Sequence, residues 1–161
     1  MKIPYVDLSY KNKSKKELIK VFKKVLDKGQ FVGGDEIDLF EKKIAKLCGT
    51  NYAVALNSGT DALTLALHLL GVRKGDEVIT PPNSFIASTA VIVHLGAKPV
   101  FVDVLSDQNI DPNKIQSAIT KKTKVIMPVH LSGRMSQMDK IMSIAKKNKI
   151  SVVEDAAQSV G

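Results

Sequence analysis

Apolar residues recur at helical spacing in the first fifty positions. They then give way to short apolar runs that alternate with further helical segments. Leu18, Val21, Phe22, Val25 and Leu26 share one helical face. Ser14-Lys15-Lys16-Glu17 reads as a capping box at the start of this helix, and Gly29 as its stop. Gly33-Gly34-Asp35 opens a second helix, with Ile37, Phe40, Ile44 and Leu47 on one side and Gly49 at its end. Asp35, Glu36 and Asp38 suit the positive end of that helix.

From Tyr52 the period switches. Strands are expected at residues 52–56, 77–80, 99–104, 124–130 and 150–155. Helices are expected at residues 61–70, 84–94 and 136–147, the first two stopped by Gly71 and Gly96. Asp111-Pro112 opens one more short helix, with Asp as cap and Pro at the first helical position. Such alternation implies βαβ units and an α/β fold: a mainly parallel sheet with helices on both faces. The runs 99–104 and 125–129 are apolar almost throughout, which suits strands buried on both sides. The expected organisation is an N-terminal helical segment, residues 1–50, and an alternating β/α part, residues 51–161, with no linker between them.

Composition narrows the class. A chain of 161 residues, 44% hydrophobic and 25% charged, can bury one substantial core. The net charge of +8 is carried almost wholly by lysine, with Arg73 and Arg134 the only arginines. The lysines are spread over many helix faces, as on a solvated surface, so no nucleic-acid partner is expected. A field that draws in anionic ligands is compatible with the same charge. Cys48 is the sole cysteine, which excludes an intramolecular disulfide and a cysteine-based zinc site and fits a reducing, cytoplasmic setting. No signal-peptide core opens the sequence. The apolar stretch 85–95 is broken by Ser88, Thr89 and His94; it reads as a buried helix, too short to span a bilayer.

Open α/β sheets bind ligands beyond the carboxyl ends of their strands, so the chemistry is sought there. Ser58-Gly59-Thr60 leads from a strand end into a helix. Its free amides, positive helix end and hydroxyls could cup a phosphate, though the same triplet also serves as a plain cap and turn. Phe85 begins the next helix at that edge, either as a ring to lie against a heteroaromatic ligand or as an ordinary core residue. Asp155 ends an apolar strand. It either caps a turn or pairs with a protonated ring nitrogen, which would make that ring a stronger electron sink. Gln158 could then bond a ring substituent, or be an exposed loop residue. His130 reads as a residue satisfying a buried turn, and His68 and His94 as structural. No metal-ligand spacing and no Gly-x-Ser-x-Gly elbow appears.

Six motifs then occur in order: Asn57-Ser58-Gly59-Thr60-Asp61-Ala62-Leu63, Gly75-Asp76-Glu77-Val78-Ile79-Thr80-Pro81, Ser84-Phe85-Ile86-Ala87-Ser88, Gly96-Ala97-Lys98-Pro99-Val100-Phe101-Val102-Asp103, Pro128-Val129-His130-Leu131-x-Gly133-Arg134 and Glu154-Asp155-Ala156-Ala157-Gln158. Together they closely resemble the DegT/DnrJ/EryC1/StrS family of pyridoxal-phosphate (PLP) sugar aminotransferases. The resemblance implies the large domain of a fold-type I PLP-dependent transferase. It also implies a homodimer acting on a keto-sugar nucleotide, with glutamate as the usual amino donor, in polysaccharide or natural-product biosynthesis. It assigns cofactor binding to Ser58, Gly59, Thr60 and the amide of Asp61 at the phosphate, to Phe85 against the ring, to Asp155 at the pyridinium nitrogen and to Gln158 near the 3′-hydroxyl of pyridoxal 5'-phosphate. Ser132 departs from the tyrosine common at this position of the family's motif.

The resemblance also places the family's Schiff-base lysine beyond Gly161. Lys98 and Lys124 stand at strand starts, the opposite edge from the expected cleft, and Lys74, Lys121, Lys122, Lys146, Lys147 and Lys149 lead into strands. None substitutes for it. The expectation is therefore an N-terminal fragment, without the small C-terminal domain and inactive by itself. Two alternatives stay open: a non-catalytic PLP- or phosphate-binding or interaction module, and a fragment of the family's dehydratase branch, in which His replaces the lysine.

Overall fold

The computed structural model describes residues 12–160. The chain divides into two compact units, Met1–Ala55 and Leu56–Gly161. In the first unit, α1 spans Asn12–Lys28 and α2 spans Asp35–Cys48. Gly29 ends α1 with φ 64°, its amide returning to the carbonyls of Val25 and Leu26. The expected capping box does not form: Ser14 is the third residue of a helix already under way at Asn12, since nothing in Asn12-Lys13-Ser14 breaks a helix. Gly34 stands at the N-cap of α2 with φ 109°, and no side chain caps there. Asp35, Glu36 and Asp38 fill the first turn instead and complement its dipole. Glu36 also meets Lys24 and Lys28, each at 3.3 Å, tying α2 to α1.

Residues 52–56, expected as a strand, form no strand pairing among the described residues. The amide of Ala55 donates to Glu41 Oε1 at 2.7 Å rather than to a neighbouring strand. Tyr52 and Val54 are 86% and 74% exposed. An apolar run without a ladder partner stays irregular.

The second unit is a three-layer α/β structure. Its elements in order are α3 (Gly59–Leu69), β1 (Glu77–Thr80), α4 (Ile86–His94), β2 (Lys98–Phe101), α5 (Pro112–Ala118), β3 (Thr123–Ile126), α6 (Met138–Asn148) and β4 (Ser151–Val152). The sheet runs β2-β1-β3-β4 and every pairing is parallel. Successive residues of the central strands point to opposite faces. Val78 and Val125 pack with Leu63 and Leu67 of α3 and Val91 and Ile92 of α4. Ile79 and Ile126 pack with Ile115 of α5 and Ile141 and Ala145 of α6. Burial on both sides explains why the run 125–129, which begins in β3, reads as apolar almost throughout. Asp111 caps α5 as expected, accepting from the Asn113 amide at 2.9 Å, with Pro112 in the first turn.

Several boundaries contract. The run 99–104, expected to be buried on both faces, is an edge strand among the described residues: Phe101 is 51% exposed and β2 pairs there with β1 alone. Pro99 fits an edge because it has no amide to offer a second neighbour. Residues 150–155 yield only the two-residue β4 and an isolated bridge between Val129 and Asp155. β4 too is an edge among the described residues, not an interior strand. The helix expected from Ser84 starts at Ile86, and α4 is buried on one side only, with Ile86 and Val93 exposed. No helix among the described residues is long and apolar enough to cross a membrane.

Candidate functional site

The chain leaves β1 toward β2 on one side and β3 toward β4 on the other, so a crevice opens at the carboxyl ends between them. A cleft of about 320 Å³ lies there, lined among others by Gly59, Thr60, Phe85, His130, Asp155 and Gln158. Five of the seven expected cofactor residues thus meet in one place; Ser58 and Asp61 lie outside the lining.

Those two residues are spent on each other. Ser58 is the N-cap of α3, its Oγ accepting from the Asp61 amide at 3.1 Å and donating to Asp61 Oδ2 at 3.0 Å. Asn57 Nδ2 adds a third bond to Asp61 Oδ2 at 3.3 Å. Among the described residues, the amides of Gly59 and Thr60 have no partner, which leaves two main-chain donors and the Thr60 hydroxyl at a positive helix end. A Cβ on Gly59 would meet nothing within 4 Å, so glycine keeps that part of the cleft clear rather than relieving a clash.

Phe85 holds the N-cap position of α4 with ψ 144° and is 76% exposed. It is no core residue; its ring borders the cleft with its apolar surface uncommitted. Asp155 is fixed through its main chain, donating to Pro128 O and accepting from the His130 amide, both at 3.0 Å. Its half-buried carboxylate takes one bond at each oxygen. Ser88 Oγ donates to Oδ2 at 2.9 Å, and the Ala157 amide donates to Oδ1 at 3.3 Å. The group therefore does close a turn, and it still has lone pairs for a cation in the cleft. Gln158 accepts the Ser132 amide on Oε1 at 2.7 Å.

His130 is 3% exposed. The Ser136 amide approaches its Nδ1 at 3.2 Å, and a main-chain amide can only donate. The ring proton therefore sits on Nε2 and is given to Glu154 Oε2 at 2.8 Å. The expectation of a residue satisfying a buried turn describes this histidine well. Ser88 and Glu154 occur in the sequence motifs without an assigned role, and Ser136 only at the start of an expected helix. Ser88 did leave a trace: it is a hydroxyl one turn before Val91 and Ile92, on the face of α4 that is otherwise apolar. Asp103, at the end of the third expected strand, is outside the cleft and pairs with Lys114 at 2.8 Å. No lysine is among the residues lining the cleft.

Residues 12–161 match the DegT/DnrJ/EryC1/StrS aminotransferase family. The chain belongs to this family. It is 44% identical over 161 residues to the dTDP-3-amino-3,6-dideoxy-alpha-D-galactopyranose transaminase of Aneurinibacillus thermoaerophilus, a match covering 99% of this chain and 44% of the relative. It is 40% identical to the 3-oxo-glucose-6-phosphate:glutamate aminotransferase of Bacillus subtilis, covering 99% of this chain and 37% of that one. The crystal structure of NtdA from Bacillus subtilis with bound cofactor PMP superposes with a TM-score of 0.94 at 39% identity, covering 99% of this chain and 38% of that chain. The chain thus spans less than half the length of the curated relatives it matches. Its α/β fold with a parallel sheet is the fold of solved DegT/DnrJ/EryC1/StrS-type aminotransferases.

Proposed function

We propose that this chain forms the cofactor-holding part of a PLP-dependent aminotransferase that moves an amino group, from glutamate, onto a keto-sugar nucleotide. The observation that carries the reading is the convergence on one cleft of a half-buried carboxylate, an uncommitted aromatic ring and a helix end with two free amides. Bound pyridoxal phosphate would supply the electron sink that the transfer requires.

The residues present fit that group. Gly59, Thr60 and the helix dipole would hold the phosphate, with Ser58 keeping the helix end formed. Phe85 would cover one face of the ring and exclude water from it. Asp155 would hold a proton on the ring nitrogen, because an acceptor-only carboxylate facing a pyridine favours the protonated form. Ser88 would keep that carboxylate turned toward the cleft. Gln158 would face an oxygen substituent of the ring. The relatives support an oxo-sugar carrying a phosphate-linked group; the nucleotide is the more specific part of the proposal. A cytoplasmic homodimer completes it, supported by the family resemblance.

Equilibrium dialysis of the purified chain against pyridoxal phosphate tests the reading. Saturable, reversible uptake is expected, with no lysine among the described residues lining the cleft for borohydride to trap. Asp155→Asn should weaken uptake at least about tenfold, the equivalent of about 1.4 kcal/mol. Absence of saturable uptake by the wild type would refute the reading. Competition with a dTDP-sugar and with glucose 6-phosphate then separates the two substrate types.

A further inference from the structure

We infer that Asn109, which does not touch the cleft, is a positioning residue that decides which end of the Gln158 amide faces it. Asn109 is 1% exposed and lies in the loop between β2 and α5. Both ends of its side chain are committed to the single turn Leu131–Arg134. Oδ1 accepts from the Leu131 amide at 3.2 Å, and Nδ2 donates to the Arg134 carbonyl at 3.0 Å. Asn109 is itself anchored: its amide donates to Asp107 Oδ1 at 3.0 Å, and its carbonyl accepts from the Leu105 amide at 2.8 Å.

Between the two bonds the chain makes a tight left-handed turn, with φ 56° at Ser132 and 78° at Gly133. Serine rarely adopts that conformation, so the turn needs external support. The conformation aims the Ser132 amide at Gln158 Oε1, 2.7 Å away. It also brings the backbones together: a Cβ at Gly133 would stand 3.1 Å from the Gln158 carbonyl oxygen. A main-chain amide can only donate, so the oxygen end of the Gln158 amide must face Ser132. The end left for the cleft is Nε2, which has no partner among the described residues. Gln158 therefore offers a donor, and the cleft accepts a ligand oxygen at that point. Without Asn109 both ends of the turn lose their tie, the Ser132 amide drifts, and the Gln158 amide is free to reverse.

The choice of probe rests on the reading of the cleft as a pyridoxal phosphate site; the hydrogen-bond chain does not. The test uses N109A, Q158A, Q158E and the double variant N109A/Q158A. Ser132 amide hydrogen exchange is followed by NMR, and pyridoxal phosphate affinity by dialysis. N109A and Q158A should each speed Ser132 exchange about tenfold while core amides such as that of Ile126 stay protected. Q158E keeps the acceptor for Ser132 but removes the donor, so its affinity should fall about as far as that of Q158A, roughly tenfold. N109A should lose affinity in the wild-type background and lose none further in Q158A. If N109A fails to fold, N109D keeps the shape and the Leu131 bond and is read in the same way. Unchanged Ser132 exchange in the Asn109 variant, or losses that multiply in the double variant, overturn the inference. If the wild type takes up no pyridoxal phosphate, the cofactor reading falls, and Ser132 exchange still decides the role of Asn109.

Discussion

Ser88 on α4 donates its hydroxyl to Asp155 Oδ2 across 2.9 Å, joining two points 67 positions apart in the chain. Ser88 is fully buried and Asp155 half-buried, so the bond lies beneath the cleft rather than in it. A hydrogen bond to a charged group contributes about 1.5–3 kcal/mol. Ser88→Ala should lower stability by about that amount in urea unfolding. It should also weaken pyridoxal phosphate uptake, since the carboxylate loses the contact that fixes its direction. Equal affinity in wild type and variant would show that Asp155 orients itself.

Phe85 should behave in the opposite way. With 76% of its surface exposed it contributes little to the core, so Phe85→Ala should change stability by no more than about 0.5 kcal/mol. Ligand affinity should nevertheless fall, by about threefold to tenfold, if the ring stacks on the ligand. A large drop in stability with unchanged affinity would return Phe85 to the core.

The two apolar runs that look alike in the sequence should differ sharply. Ile126 in β3 is wholly buried between the sheet and α5 and α6, and Ile126→Ala should cost about 2–5 kcal/mol. Val54, in the unpaired segment, is 74% exposed, and Val54→Ala should cost no more than about 0.5 kcal/mol. Urea titrations of the two variants side by side check both values.

Those two residues also show how far the sequence can be read. β1 falls at Glu77–Thr80 as expected because its alternating faces are both buried and two neighbours hold it. Asp111-Pro112 marks the start of α5 because cap chemistry is local. Whether an apolar run finds a ladder partner is not local, which is why residues 52–56 and 99–104 read too strongly. The cleft was legible in outline because strand-end residues gather wherever a parallel sheet forms. The Ser88–Asp155 bond, the His130–Glu154 bond and the hold of Asn109 on Leu131–Arg134 were not, since each depends on distant elements meeting in space.

The pair Asp103–Lys114 predicts a pH response. The bond from Lys114, helped by the Val104 amide, holds the Asp103 carboxyl below its ordinary 3.8. The same bond raises Lys114 above its ordinary 10.5. The stabilisation from Asp103 is present above the unfolded carboxyl value and is lost as pH falls through the lower folded value. That from Lys114 is present below 10.5 and is lost as pH rises through the higher folded value. NMR titration of Lys114→Met should show the Asp103 midpoint moving up, and Asp103→Asn should bring Lys114 down. Midpoints that stay put would mean the pair does not persist in solution.

Pro99 has a consequence for how the sheet can grow. The amides of Lys98 and Val102 turn inward to Asp76 and Thr80, so the alternating position of Pro99 turns its nitrogen outward. A newcomer docking along the outer rim of β2 would find a gap where a donor should be. Among the described residues, the outer rim of β2 is therefore a poor template for a further strand, and it resists runaway self-association.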